Sequence, residues 1–152
     1  MDGVKILSIN VRGLGSAGKS FKIVQELIHL NCDVILLQET HVSCKKQAEK
    51  FERLWMGKCF WSFGIGKSAS VALILAPNFS GNVIRFLFDS NGRTLSLLID
   101  FHNLLFNGVN IYSQMLLQSI KCFFLICTII FFRKDFYLLV AISIALIMFL
   151  IS

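Results

Sequence analysis

The sequence predicts an α/β fold, and three observations lead to this prediction. Two apolar strand patterns, each followed by an amphipathic helix pattern, open the 152-residue chain. Five short apolar runs then follow one another with only turns between them, which is typical of antiparallel strands. The remainder, residues 114–152, has 29 apolar side chains among its 39 residues. We therefore expect one domain over residues 1–113 and a hydrophobic, helical tail over residues 114–152.

Strands and helices are predicted to alternate in the first half of the chain. Residues 4–9 form a strand pattern, and apolar positions spaced by three and four residues predict a helix over residues 20–30. The continuous apolar run of DVILLQE, residues 33–39, is typical of an inner strand that is covered on both faces. A second and more charged helix is predicted over residues 45–55.

The second half of the domain is predicted to be an antiparallel meander. Its strands are FWSFGIG, SVALILA, GNVIRFLFD, RTLSLLID and LLFNGVNIY, and no helix-length segment separates them. The segment DSNGR, residues 89–93, contains Asn-Gly, which is the strongest short signal for a β-hairpin. The strands on either side of it should therefore pair antiparallel.

Charge and cysteine content limit the functional classes. Residues 1–113 contain 12 Lys and Arg against 8 Asp and Glu, and the tail adds a net charge of +2. This excess permits a nucleic-acid partner without requiring one. The five cysteines form no CxxC pair and the three histidines are scattered, so we expect reduced thiols and no zinc site.

One short motif predicts a nucleotide-binding loop. GLGSAGKS matches the phosphate-loop pattern, with Gly13, Gly18, Lys19 and Ser20 at the required positions. Such a loop works within a parallel sheet, whose second motif would be the strand that ends at Asp100. The hairpin directly before that strand opposes a parallel arrangement. Nucleotide binding at residues 13–20 is therefore only the second alternative function.

Two polar residues follow predicted strands and suggest a metal site. Asn10 ends the first strand and Glu39 ends the inner strand. Ligands and metals of α/β proteins bind where strands end at one edge of the sheet. Mg²⁺ prefers oxygen ligands, which a carboxylate and an amide can begin to supply. Taken singly, Asn10 would be a turn residue and Glu39 a solvated charge.

Taken together, KILSINVRGLGS, DVILLQETH and LLFNGVNIYS resemble motifs of the endonuclease/exonuclease/phosphatase superfamily. Over residues 4–113 the sequence looks most like the N-terminal part of the endonuclease domain that LINE-type retrotransposons encode. The resemblance implies two sheets packed face to face between helices, Mg²⁺-dependent cleavage of a DNA phosphodiester, and DNA as the partner. It also implies that GLGSAGKS is only the loop after the first strand.

The resemblance assigns roles to three residues. It implies that Asn10 helps to hold the metal and the phosphate, that Glu39 is a metal ligand, and that Tyr112 contacts the region of the scissile phosphate. These are the candidate catalytic residues, and Asn10 and Glu39 are the candidate metal ligands.

The chain departs from the superfamily pattern after Ser113. Pro-Asn should follow NIYS, and a later GGDFN and a Ser-Asp-His should complete the site, but all three are missing. The Asp and His of these motifs orient the attacking water. We therefore expect a truncated, inactive relative with an incomplete sandwich, in which strands such as SVALILA and RFLFD expose apolar faces.

The genetic code offers an explanation for the tail. Codons can be chosen for LVAISIA, residues 139–145, whose bases also encode Gly-Gly-Asp-Phe-Asn-Cys when the reading frame starts one base earlier. Codons for residues 113–115 give the expected Pro-Asn in the same displaced frame. We therefore expect the tail to be an out-of-frame translation of the nuclease's own continuation.

The tail also permits a different function. FYLLVAISIALIMFLIS, residues 136–152, runs for 17 residues without a charge, which is the lower limit for a transmembrane helix. A small, C-terminally anchored membrane protein is thus the first alternative, with the membrane as its partner. An aggregation-prone end without a role of its own is favoured over such an anchor. No specific protein partner is predicted.

Overall fold

The structure is a computed structural model that describes residues 4–65, 70–114, 126–133 and 136–145, with side chains as far as Tyr112. Its elements, in chain order, are β1 (Ile6–Asn10), α1 (Ala17–Leu30), β2 (Val34–Gln38), α2 (Lys45–Trp55), β3 (Cys59–Ser62), β4 (Val71–Leu75), β5 (Asn82–Phe88), β6 (Thr94–Phe101), β7 (Leu104–Gln114), β8 (Ile126–Arg133) and β9 (Phe136–Ala145). The predicted α/β fold is confirmed, with two sheets and two helices.

Sheet A has the strand order β1-β2-β4-β3 and carries both helices on one face. The strands β1 and β2 are parallel, whereas β4 is antiparallel to both β2 and β3. Leu27 of α1 and Phe51 of α2 are almost fully buried against this face. Each helix buries a stripe of side chains at three- and four-residue spacing, as an amphipathic helix on a sheet requires.

Sheet B has the order β5-β6-β7-β9-β8 and packs on the opposite face of sheet A. Alternate residues of β6 point inward, and Leu95, Leu97 and Ile99 are fully buried. The predicted hairpin at residues 89–93 is confirmed, since β5 and β6 pair antiparallel on either side of it. The described residues thus form three layers, in the order helices, sheet A and sheet B.

The five strands of the second half do not form one continuous meander. Both β3 and β4 belong to sheet A, and only β5, β6 and β7 form an antiparallel meander. The expectation that SVALILA exposes an apolar face is wrong, because residues 71–75 of β4 are at most 1% exposed. This strand lies between the helices and sheet B, so both of its faces are covered. Part of RFLFD is exposed as expected, with Phe88 at 61%.

Two segments of the tail are described, and both are strands. Residues 126–133 form β8 and residues 136–145 form β9, which pairs in parallel with β7. Both segments are rich in Ile, Val and Phe, which favour strands, and the edge of β7 offers unpaired backbone groups.

Within the part of the chain that the structure describes, no helix is both long enough and apolar enough to cross a membrane. Residues 146–152 of the candidate transmembrane segment lie outside the described residues.

Candidate functional site

Asn10 and Glu39 lie at the same edge of sheet A. Asn10 is in register with Gln38 on the parallel strands β1 and β2, and Glu39 is one residue beyond Gln38. The side chains of Asn10 and Glu39 are both half-buried. The Oδ1 atom of Asn10 accepts a hydrogen bond of 3.0 Å from the backbone N–H of Arg12, which fixes the turn after β1.

The loops that follow β1 and β2 continue to pair beyond the ends of the strands. Three backbone hydrogen bonds join them: Val11 N–H to Gln38 O at 3.0 Å, Gly13 N–H to Glu39 O at 2.6 Å, and Leu14 N–H to Thr40 O at 2.8 Å. The two loops therefore form one unit, and the backbone of Glu39 is held from both sides.

Three non-glycine residues of these loops have left-handed backbone conformations. The φ angles are 49° at Arg12, 52° at Glu39 and 56° at His41. Residues other than glycine adopt such φ angles at a cost in conformational free energy, and these angles persist only where surrounding contacts enforce them. The paired loops provide these contacts. The conformation of Glu39 is therefore imposed by the fold, and a strained residue with a carboxylate at a sheet edge is a candidate for function.

Tyr112 brings sheet B into the site. It lies on the inward face of β7 and is only 7% exposed, and the carboxylate of Glu39 is close enough for its negative charge to act on the phenol. Burial and the negative charge of Glu39 raise the pKa of Tyr112, whereas the nearby positive charge of Arg93 opposes the rise. The phenol is therefore protonated at neutral pH and acts as a hydrogen-bond donor.

A buried polar network lies directly beneath this contact. The side-chain amide of Gln38 donates to the oxygens of Ser8 and Asn110, each at 2.9 Å. The amide of Asn110 donates to the backbone oxygens of Leu37 at 3.0 Å and Ala72 at 2.8 Å. Gln38 and Asn110 are almost fully buried. Gln38 directly precedes Glu39 in the sequence, and Asn110 lies two positions before Tyr112. The network thus ties the two sheets together below the site.

Sequence reasoning did not identify Gln38 or Asn110 as residues of the site. A signal was present in both cases. Gln38 is the one polar residue within the buried strand VILLQ and faces sheet B, as Val34 and Leu36 do. Asn110 precedes Tyr112 by two positions and therefore faces sheet A, as Tyr112 does. A polar side chain on a buried face must find partners, and these two find each other.

Solved structures resemble this arrangement, although no protein-family model and no curated protein matches the chain. The APE2 catalytic domain of Xenopus laevis aligns with a TM-score of 0.57 at 17% identity, over 72% of this chain and 45% of that one. TDP2 of Caenorhabditis elegans aligns with a TM-score of 0.57 at 18% identity, over 72% and 35% of the two chains. The endonuclease domain of TRAS1, a telomere-specific non-LTR retrotransposon, gives a TM-score of 0.50 at 16% identity, over 73% and 45%.

The described residues share the fold of these three solved structures. The chain spans less than half the length of each of these three structures.

In this fold GLGSAGKS is the loop and first helical turn after β1. The helix begins at Ala17, and the Lys19 ammonium donates to the backbone oxygen of Arg12 at 2.5 Å. The hydroxyl of Ser20 is buried and donates to the oxygen of Leu14 at 2.9 Å. Sheet A has a single parallel pair, so the parallel sheet of a phosphate-loop protein is missing from the described strands. The local contacts of Lys19 and Ser20 therefore argue against nucleotide binding.

Metal-ligand groups at the site are few. Among the described residues there is no cluster of three or more His, Cys, Asp or Glu side chains that could hold a metal ion. Glu39 and Asn10 are two half-buried, oxygen-bearing side chains at the end of the parallel strand pair. Any divalent cation there would take most of its ligands from water or from the substrate.

Proposed function

We propose that the chain is a truncated, inactive relative of the Mg²⁺-dependent DNA endonucleases that retroelements encode. The closeness of Tyr112 to the carboxylate of Glu39 is the observation that supports this most directly. It joins two residues that are 73 positions apart in the sequence and lie on different sheets. Asn10 lies at the same edge, so all three candidate catalytic residues share one small region of the fold.

The donor set at this edge fits Mg²⁺. Glu39 would supply a carboxylate oxygen and Asn10 an amide oxygen, and Mg²⁺ commonly keeps several waters beside one or two protein ligands. When bound, the ion would polarise a phosphoryl oxygen of the DNA backbone. Tyr112 is protonated at neutral pH and would donate a hydrogen bond in the same region. With only two protein ligands, the ion would be held weakly.

Inactivity is proposed from the residue types that follow Ser113. Residues 114–152 contain a single carboxylate, Asp135, and no histidine, so they cannot supply the groups that activate the attacking water. Losing one member of such a set costs on the order of 10² to 10⁴ in rate. An out-of-frame translation of the original continuation accounts for this composition.

The proposal is tested by two measurements on the chain itself. Supercoiled plasmid DNA incubated with the protein and Mg²⁺ should remain uncut. The coding DNA, read in the frame displaced by one base after the Ser113 codon, should continue through Gly-Gly-Asp-Phe-Asn to Ser-Asp-His. Nicking that disappears in Glu39→Ala would contradict the proposed inactivity, and a displaced frame without these motifs would contradict the origin proposed for the tail.

A further inference from the structure

The tip of the β5–β6 hairpin is attached firmly to the edge that carries Glu39 and Tyr112. The carboxylate of Asp89 accepts hydrogen bonds of 2.8 Å from the backbone N–H groups of Arg93 and Thr94. The same oxygen accepts a bond of 2.8 Å from the hydroxyl of Ser62, at the end of β3. One side chain thus closes the hairpin and ties it to sheet A.

Close backbone contact adds a second attachment. Gly92 has a φ angle of 71°, and a Cβ atom at this position would lie only 2.4 Å from the backbone of Gly64. Only glycine therefore fits where the hairpin tip meets the loop after β3. The tip is held in a defined position and is not a loosely extended loop.

This attachment places Arg93 beside the candidate site. The backbone oxygen of Arg93 accepts a 2.8 Å hydrogen bond from the N–H of Tyr112, and its positive charge acts on the phenol of Tyr112. The residue itself is exposed to solvent. Two other exposed basic side chains, Arg12 and His41, come from the paired loops at the same edge.

A phosphodiester that approaches Glu39 is repelled, because the phosphate and the carboxylate are both negatively charged. Binding without a metal therefore needs a nearby cation, and a guanidinium is suited to this because its planar fork can form two parallel hydrogen bonds to phosphate oxygens. Arg93 meets three requirements, since it is exposed, adjacent to Tyr112 and held on a fixed hairpin.

We propose that Arg93 is a phosphate-binding residue, whose guanidinium holds the backbone of a DNA strand next to the Glu39–Tyr112 pair. The proposal takes its ligand, DNA, from the proposed function. It differs in needing neither Mg²⁺ nor cleavage, so the chain should retain this contact although it does not cut DNA.

The test measures binding of the full chain to a short, dye-labelled DNA duplex by fluorescence anisotropy, with EDTA present to exclude metal. Arg93→Ala should raise Kd roughly five- to tenfold and reduce the dependence of log Kd on log salt by about one unit, as expected for one lost phosphate contact. Arg93→Lys should recover only part of the affinity, because lysine keeps the charge and loses the fork.

Arg85→Ala is the matched control. Arg85 is an exposed arginine of the same hairpin, but it lies within β5 and pairs with Leu98, away from the tip. Its removal changes the net charge equally and should leave Kd within about twofold of the unmodified chain. Equal losses in Arg85→Ala and Arg93→Ala, or no DNA binding at low salt, would overturn the proposal.

The outcome for Arg93 is independent of the outcome for the proposed function. Cleavage by a protein with the original frame restored decides whether the chain derives from a nuclease, and metal-free binding decides the role of Arg93. Arg93-dependent binding without cleavage by the restored protein would leave the phosphate contact standing and reject the nuclease origin. If the restored protein cleaves DNA but Arg93→Ala has no effect on metal-free binding, the nuclease origin is supported and the phosphate contact of Arg93 is rejected.

Discussion

At the scale of single residues, the contact between Tyr112 and Glu39 depends on which of the two holds a proton. Burial of Tyr112, together with the charge of Glu39, raises the pKa of the phenol above 10.0. Because the folded-state pKa is raised, the associated stability is present below the pKa of the unfolded chain and is lost as the pH rises through the folded-state value. The contact should therefore weaken only in alkaline solution.

This pKa can be measured from the ultraviolet absorbance of tyrosinate during an alkaline titration. The chain has two tyrosines, so the titration is done in Tyr137→Phe, where Tyr112 remains alone. The pKa should lie above 10.0 and should fall, without returning fully to that value, in Glu39→Gln, because burial of the ring remains. A titration that Glu39→Gln leaves unchanged would show that the two side chains are not in contact.

A second prediction concerns Asn110. In Asn110→Ala the backbone oxygens of Leu37 and Ala72 and the amide of Gln38 lose a partner inside the protein. Each buried polar group without a partner costs about 1–3 kcal/mol, so the free energy of unfolding should fall by roughly 3 kcal/mol or more.

Asn107→Ala provides the control on the same strand. Asn107 is half-buried, and its side chain accepts one hydrogen bond from Ser96. Removing it should cost about 1 kcal/mol or less. Hydrogen exchange of the amides of β2, β4 and β7 compares the two variants, and equal loss of protection would contradict the role assigned to the network.

At the scale of secondary-structure elements, the sequence predicted most of what the structure contains. The bounds of α2 were predicted correctly, and the DSNGR hairpin was predicted because Asn-Gly determines its turn locally. The placement of β4 in sheet A could not be predicted in the same way. It depends on pairing with β2, which precedes β4 by more than 30 residues, and no local signal specifies that partner.

The hairpin should be sensitive to acid through Asp89. Burial opposes ionisation of this carboxyl, but hydrogen bonds from Thr94, Ser62 and Arg93, together with one from Asn91, outweigh it and lower the pKa below 3.8. Because the folded-state pKa is lowered, the stability is present above the unfolded value and is lost as the pH falls through the folded-state value.

Asp89→Asn should therefore destabilise the chain at about pH 7, by roughly 1–2 kcal/mol for the lost charge-assisted hydrogen bonds. The difference should shrink as the pH falls through the lowered pKa of Asp89. Hydrogen exchange of the amides of β5 and β6 in both pH ranges measures it. Asp100→Asn is the control, since the carboxylate of Asp100 accepts only a 3.1 Å bond from the N–H of Asn103. A penalty for Asp89→Asn that does not depend on pH would contradict this explanation.

At the scale of the whole molecule, the chain leaves apolar surface uncovered. Both described helices pack on sheet A, and neither covers the outer face of sheet B. The edge strand β5 exposes more than half of the side chains of Ile84, Leu87 and Phe88. Apolar edge strands of this kind favour association between chains.

We therefore expect the purified chain to bind a hydrophobic dye, to associate at micromolar concentration and to unfold over a broad range of denaturant. Replacing Leu87 and Phe88 with Thr should reduce both dye binding and association, because Thr keeps strand propensity and removes apolar area. Sharp, cooperative unfolding of a soluble monomer would contradict this expectation.

We propose that Asn10, Glu39 and Tyr112 are the retained part of a nuclease site, and that GLGSAGKS is only a loop of the same fold. The most direct measurement is nicking of supercoiled plasmid with Mg²⁺ by a protein in which the displaced frame is restored and extended to the end of the domain. This protein should nick the plasmid, Glu39→Ala should abolish nicking, and Lys19→Ala should leave it nearly unchanged. A restored protein that needs Lys19 and functions without Glu39 would contradict the claim.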